Sequence, residues 1–348
     1  MKIPGHILVI RLSAPGDVAM TVPVLHSFKK KYPSVRLTVL TSKRLEALFK
    51  NLDATLFFAE TKTVHKGFAG LFRLFNQLNK ANRSHPVEAV ADLHNVLRSQ
   101  VIRTLYKAKG IRTAAIDKGR REKKQLTRKE NKITHQLPAT FDRYRNVFRE
   151  LGLDFEWAFR SIFDGKPPMS ENCIALAGTK QSRWIGLAPF AAYREKMYPL
   201  EKMREVVDTL SKNQSGRIIL FGSAADAAML ETWKLENPDL LVAAGRLTLE
   251  EELKLMAQLD LMVSMDSANM HFASLVGVPV VSIWGATHPF AGFMGWGQSK
   301  ENAAQIELFC RPCSVFGSKP CYRGDHACMQ ELPPVLISEH INRIINRG

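Results

Sequence analysis

Short apolar runs of β character alternate with stretches of helical spacing, and the series starts twice, near residue 6 and again near residue 184. Such alternation fits a parallel sheet covered on both faces by helices. In the first half, His6–Arg11 reads as a strand and Ser13–Asp17 as a turn. Val18, Val22, Leu25 and Phe28 then recur at helical spacing until Pro33. Further strands are expected at 37–40, 56–58 and 89–93. In the second half they are expected at 184–187, 217–221, 261–264 and 279–284. The Phe163–Met169 stretch, with a glycine and two prolines, is the natural linker. A chain of 348 residues also exceeds the size at which one core keeps growing. The expected architecture is α/β, with two doubly wound Rossmann-like domains facing across a cleft. Their spans are 1–163 and 164–334, followed by a terminal helix, 335–348, able to pack back on the first domain. In such sheets ligands bind at the carboxyl ends of the strands.

The charge narrows the partners. Lys and Arg number 49 against 33 Asp and Glu, a formal net charge of +16. That surplus favours nucleic acid, an anionic membrane surface or phosphorylated substrates. No aromatic-basic RNP pattern or helix-turn-helix stands out, so nucleic acid is not the expected partner. No run of eighteen apolar residues is present, and Ile7–Ile10 is too short for a signal peptide. The expectation is a cytoplasmic protein. Between Lys118 and Thr134, eight Lys or Arg stand against two acids with almost no apolar periodicity, which reads as a loop or lid.

Three strand-to-helix junctions hold the residues with chemical potential. Arg11-Leu-Ser-Ala-Pro-Gly-Asp17 lacks both the dinucleotide glycine pattern and a Walker lysine. Asp17 is either a base facing a ligand or a helix cap. After the strand at 184–187, Ala188–Pro199 supplies Ala191, Ala192 and Lys196. Backbone N–H groups and one ammonium there suit a phosphate, while a solvated lysine is the plainer reading. At 264–274, Asp266 and Ser267 end a strand, and the next helix turns its N-terminus to the ligand side. His271, one turn in, is a ligand contact or a packing residue. Four cysteines, Cys310, Cys313, Cys321 and Cys328, cluster late with His326 nearby. Structural zinc, reduced thiols and disulfides are all compatible with that spacing.

Together, Ile-Arg-Leu-Ser-Ala-Pro-Gly-Asp-Val at 10–18, Val90-Ala-Asp-Leu-His-Asn-Val-Leu-Arg-Ser99, Asp266-Ser-Ala-Asn-Met-His271 and Gly285-Ala-Thr-His-Pro289 resemble glycosyltransferase family 9. That is the family of ADP-heptose:lipopolysaccharide heptosyltransferases, and the likeness spans nearly the whole chain. The resemblance implies a GT-B fold and an inverting transfer without a catalytic metal or other required cofactor. The acceptor would sit on the N-terminal domain and the nucleotide sugar, ADP-heptose, on the C-terminal one. It implies Asp17 as general base and Lys196, Ala191 and Ala192 at the donor phosphates. Asp266, Ser267, Ala268 and His271 would form the donor helix start, with Leu247 on the nucleotide base. The basic stretch is either a solvated loop that keeps the protein soluble or the element that meets an acidic glycolipid acceptor through Lys118, Arg120, Arg121, Lys123 and Lys124. The enzyme would be peripheral on the inner face of the inner membrane. The chain departs from the family pattern at Ala191–Ala192, where hydroxyl residues are usual. Ala268–Asn269 replaces a Gly-Pro turn, and His288 stands in the place of an aspartate.

Overall fold

The structure, a computed structural model, describes residues 2–213 and 215–346. The chain forms two compact units: residues 1–118 with 140–162, and 119–139 with 163–348. In the first unit the elements run β1 (His6–Ile10), α1 (Pro15–Ala19), α2 (Val22–Lys31), β2 (Arg36–Thr41), β3 (Thr55–Phe58), α3 (Gly67–Ala81), β4 (Ala89–Asp92), α4 (Leu97–Ala108) and β5 (Arg112–Ala115). A short helix α5 (Arg120–Leu126) belongs to the second unit, and α6 (Thr140–Glu150) returns to the first.

The first sheet is parallel throughout, in the order β3-β2-β1-β4-β5. β1 is central and buried over its whole length, pairing Ile7 with Leu37 on one side and with Ala89 on the other. A strand buried on both faces must be apolar throughout, which is why His6–Ile10 does not alternate. His6 is tolerated because its ring bonds the Thr38 hydroxyl (2.8 Å) and the His85 carbonyl (2.6 Å). Leu8, Ile10, Leu40 and Val90 from the sheet meet Leu71, Leu74, Phe75 and Leu78 of α3 in one core.

The second unit continues with α7 (Glu171–Ala177), β6 (Trp184–Ala188), α8 (Leu200–Lys212), β7 (Arg217–Leu220), α9 (Ala227–Glu236), β8 (Leu241–Val242), α10 (Leu249–Met256), β9 (Leu261–Met265), α11 (Ala268–Leu275), β10 (Val280–Ile283), β11 (Ala303–Ala304), α12 (Ala327–Gln330) and α13 (Pro334–Ile345). Its parallel sheet has the order β11-β10-β9-β6-β7-β8. Helix starts follow local chemistry. At α10 the Thr248 N–H donates to the Glu251 carboxylate (2.9 Å) while the Thr248 hydroxyl accepts from the Glu251 N–H, a reciprocal cap.

One expectation is corrected. The basic stretch read as a loop contains α5, whose Lys123 and Leu126 are buried, and it packs with the second unit. Leu126 and Leu137 form a small core with Ala291, and the Leu137 N–H donates to the Phe290 carbonyl (2.9 Å). The terminal helix α13 packs within the second unit, through Ile337, Ile341 and Ile345 against the core of the second sheet.

Candidate functional site

In an open parallel sheet the strand order reverses at one point, and the loops leaving the two strands there part to leave a crevice. In the first unit that point lies between β1 and β4; in the second it lies between β6 and β9. The sequence-expected residues Asp17, Lys196 and Asp266 all belong to loops leaving these four strands.

After β1, Asp17 is the third residue of α1, which starts at Pro15. Its carboxylate pairs with the buried Arg11 guanidinium at 2.7 Å and accepts weakly from the Ala14 N–H at 3.4 Å. The side chain nevertheless keeps 30% of its surface exposed, which a proton acceptor needs. Arg11 is fixed in turn by donating to the Leu93 carbonyl (2.8 Å) after β4, and the Tyr144 hydroxyl donates to the Asp17 carbonyl (3.3 Å). Asp92 ends β4 fully buried. It accepts from the N–H groups of His94 and Asn95 and pairs with Arg103 at 3.2 Å, so it shapes the loop rather than meeting a ligand. The sequence singled out neither Arg11 nor His94 as a site residue, although both stand inside the quoted motifs. Burial, reinforced by the Arg11 charge, pulls the His94 imidazole down to about 3.

In the second unit, Lys196 closes a 3-10 turn after β6 and pairs with Asp266 at 3.0 Å; both side chains are largely buried. The Lys196 stem lies against Gly317, where any Cβ would come within 2.3 Å of it. The Glu195 carbonyl accepts from the Ala286 N–H (3.3 Å), which ties this turn to the loop after β10. Ser267 starts α11, but its hydroxyl turns to Ser264 (3.2 Å) and does not cap the helix. The first-turn N–H groups at Ala268–Met270 therefore lack a side-chain cap, a ready environment for an anion. His271 is buried one turn further on, and Ala191 packs on the core while Ala192 is exposed. Leu247 is half-buried, just before α10.

The loop after β10 rests on a residue that the sequence did not flag. Arg311 is buried with no carboxylate partner among the described residues. It donates to the carbonyls of Gly285 (2.6 Å), Trp284 (3.1 Å), Thr287 (3.1 Å) and Ile306 and to the Gln305 side chain (2.9 Å). Five acceptors satisfy the guanidinium fork and hold the 284–287 turn. His288 caps the turn that follows it: its Nδ1 accepts from the Phe290 N–H (3.1 Å), and burial lowers its pKa to about 4. A neutral ring keeps that acceptor lone pair.

The basic cluster is only partly as expected. Arg120, Arg121 and Lys124 are exposed on α5, and Lys118 lies in the first unit. Lys123 is a correction: it is buried, its ammonium 4.1 Å over the Phe293 ring, because Lys123 and Leu126 share the face on which the helix packs. The four late cysteines are free thiols, and burial pushes Cys328 up to about 12. Among the described residues no group of three or more His, Cys, Asp or Glu side chains could hold a metal ion, so the zinc expectation finds no assembled ligand set.

The depressed histidines set an acid limit on stability. His94 at about 3 and His26 and His288 at about 4 are held neutral in the fold against an ordinary value of 6.5. Their contribution is full above pH 6.5 and is lost as the pH falls through 6.5 towards 4 and 3, because the unfolded chain binds the protons first. The melting temperature is expected to drop steadily between pH 7 and pH 4. A scan flat over that range would show that these rings are not held neutral.

Comparison with known proteins follows the same lines. The family model "Glycosyltransferase family 9 (heptosyltransferase)" matches residues 72–320. A lipooligosaccharide heptosyltransferase 2 of Campylobacter jejuni is 23% identical over 338 residues, 94% of this chain and 96% of that protein. The solved glycosyl transferase family 9 protein of Veillonella parvula superposes with a TM-score of 0.75 at 18% identity, over 100% of this chain and 99% of that one. The E. coli heptosyltransferase WaaC with ADP-2-deoxy-2-fluoro heptose gives 0.67 at 15% identity, over 97% and 99%. At these identities the superpositions speak for the fold.

Proposed function

Because the chain belongs to glycosyltransferase family 9 and has the GT-B fold, we propose that it transfers a heptose from ADP-heptose to a lipopolysaccharide core precursor. The observation that carries this reading is the paired placement at the two switch points. A partly exposed carboxylate, Asp17, stands at one, and a buried ammonium beside a helix N-terminus, Lys196 with α11, stands at the other. Support for the donor comes from the Campylobacter relative named a heptosyltransferase and from WaaC, solved with an ADP-heptose analogue.

On this reading the second unit takes the donor and the first the acceptor. Sugar transfer leaves negative charge on the departing ADP. Lys196 has three donor protons and Asp266 takes one, so two remain for phosphate oxygens, alongside the first-turn N–H groups of α11. These groups meet the leaving-group charge with the protein's own atoms, as an inverting, metal-independent transfer requires. Ala191 and Ala192 contribute only backbone groups, and Leu247 packs on the base. Asp17 takes the proton of the attacking acceptor hydroxyl. Arg120, Arg121 and Lys124, exposed on α5, belong to the second unit, so of the basic cluster only Lys118 stands on the unit that takes the acceptor. No helix among the described residues is long and apolar enough to cross a membrane, and an acceptor anchored in lipid calls for peripheral work at the cytoplasmic face.

Calorimetric titration with ADP, UDP and GDP tests the donor assignment. Selective ADP binding is expected, and ADP-heptose should then be consumed only when acceptor is present. Preference for UDP or GDP would replace the donor, and consumption without acceptor would replace transfer by epimerisation or hydrolysis.

A further inference from the structure

We propose that the loop before α3 and the first two turns of that helix form a docking surface for an anionic lipid bilayer. Phe68 is 71% exposed, Phe72 54% and Val64 41%. Phe68 and Phe72 are four residues apart and so lie on one face, while Leu71, Leu74, Phe75 and Leu78 hold the other face in the core. Residues 61–85 contain Lys62, Lys66, Arg73, Lys80 and Arg83 and not one Asp or Glu. All five cations are exposed, and none is ion-paired among the described residues.

The surface is preformed. The His65 ring accepts from the Glu60 N–H (2.9 Å) and bonds the Gln77 side chain (2.8 Å), pinning the loop to α3. Gly70 permits that approach, since a Cβ there would lie 2.4 Å from the His65 carbonyl carbon. Three exposed rings elsewhere have partners, with Arg323 over Phe309 (5.5 Å), Lys129 over Tyr322 (4.8 Å) and Phe293 beside Phe316 (5.5 Å), while the exposed Tyr193 has no second ring beside it among the described residues. Among the described residues no ring or cation covers Phe68. Unpaired cations flanking exposed aromatic rings match headgroup phosphates above an acyl boundary; a protein partner would have to supply acids around an apolar pocket. This inference goes beyond glycosyl transfer and does not depend on it.

The test is sedimentation of the full chain with vesicles of phosphatidylcholine alone or with about one-third phosphatidylglycerol. Partition onto the anionic vesicles is expected to be at least about tenfold stronger, and weaker in high salt. Phe68→Ser with Phe72→Ser, and separately Lys62→Gln with Lys66→Gln and Arg73→Gln, should each reduce it about tenfold with the melting temperature unchanged. A single Phe72→Trp probe should shift its emission to the blue on anionic vesicles only, a readout that survives if the serine pair fails to fold. Equal partition onto both vesicles, or wild-type partition by the serine pair, would overturn the proposal. So would a concentration-dependent dimer that the serine pair abolishes, since a second copy would then be the occupant.

Discussion

Asp17→Asn is expected to lower kcat for heptose transfer by about 10²–10⁴ while leaving ADP affinity within about twofold. The amide keeps the size of the carboxylate and can still accept from Arg11, so the loop after β1 should hold its shape. What disappears is the ability to take a proton from an attacking hydroxyl. Arg11 is buried, but the amide oxygen can go on accepting from it, so the melting temperature should fall only modestly. The two roles open in the sequence separate cleanly here. A base gives a loss confined to kcat. A structural residue at the third position of α1 gives a lower melting temperature, with transfer reduced only in proportion to the folded fraction. Single-turnover transfer and thermal melting on the same preparation distinguish them.

Lys196→Ala is expected to weaken ADP binding at least about tenfold and to reduce transfer by about 10²–10³. Its interpretation needs a partner variant, because removing the ammonium strands the Asp266 carboxylate, which is itself buried. Breaking such a pair from one side costs about 3 kcal/mol or more. Lys196→Ala with Asp266→Asn removes both charges, and should recover most of the lost melting temperature without recovering ADP affinity. If the double variant regains affinity as well, Lys196 serves only to neutralise Asp266, and the donor phosphates are held by the α11 N–H groups alone.

Much of this arrangement was legible in the sequence, for a physical reason. A strand buried on both faces must be apolar throughout, so β1, β2, β4, β6, β7, β9 and β10 announce themselves. The edge strand β11, two residues long, has too few positions to show a pattern, and β8 is equally short. β5 carries Arg112 and Thr113 and reads as polar. The junction residues Asp17, Lys196 and Asp266 were legible because they follow recognisable strands. Arg311 was not, since four of its five partners are backbone carbonyls, which leave no trace in residue type. Nor was the burial of Lys123, whose cover is Phe293, a residue far along the chain. His288 reads as a departure from the family pattern, yet its ring nitrogen accepts from the Phe290 N–H, a cap that residue type alone does not announce.

The segment 119–139 has a history that the finished fold conceals. Gln136 and Leu137 bond to the Phe290 carbonyl, and Gln136 stands 154 residues ahead of it in the chain. Lys132 likewise donates to the carbonyls of Cys310 (2.5 Å) and Pro312 (3.0 Å). During synthesis the strap emerges long before the surface that will receive it. At ribosomal rates of about 5–20 residues per second the wait lasts roughly 10–30 s. Over that interval Leu126, Ile133 and Leu137 have no core to enter, and eight Lys or Arg in 118–134 keep the segment in water. Like charges of this density repel and stay solvated, the property an unpaired strap calls for. A gene cut after residue 163 would separate the strap from its seat, so neither half would express as a whole domain.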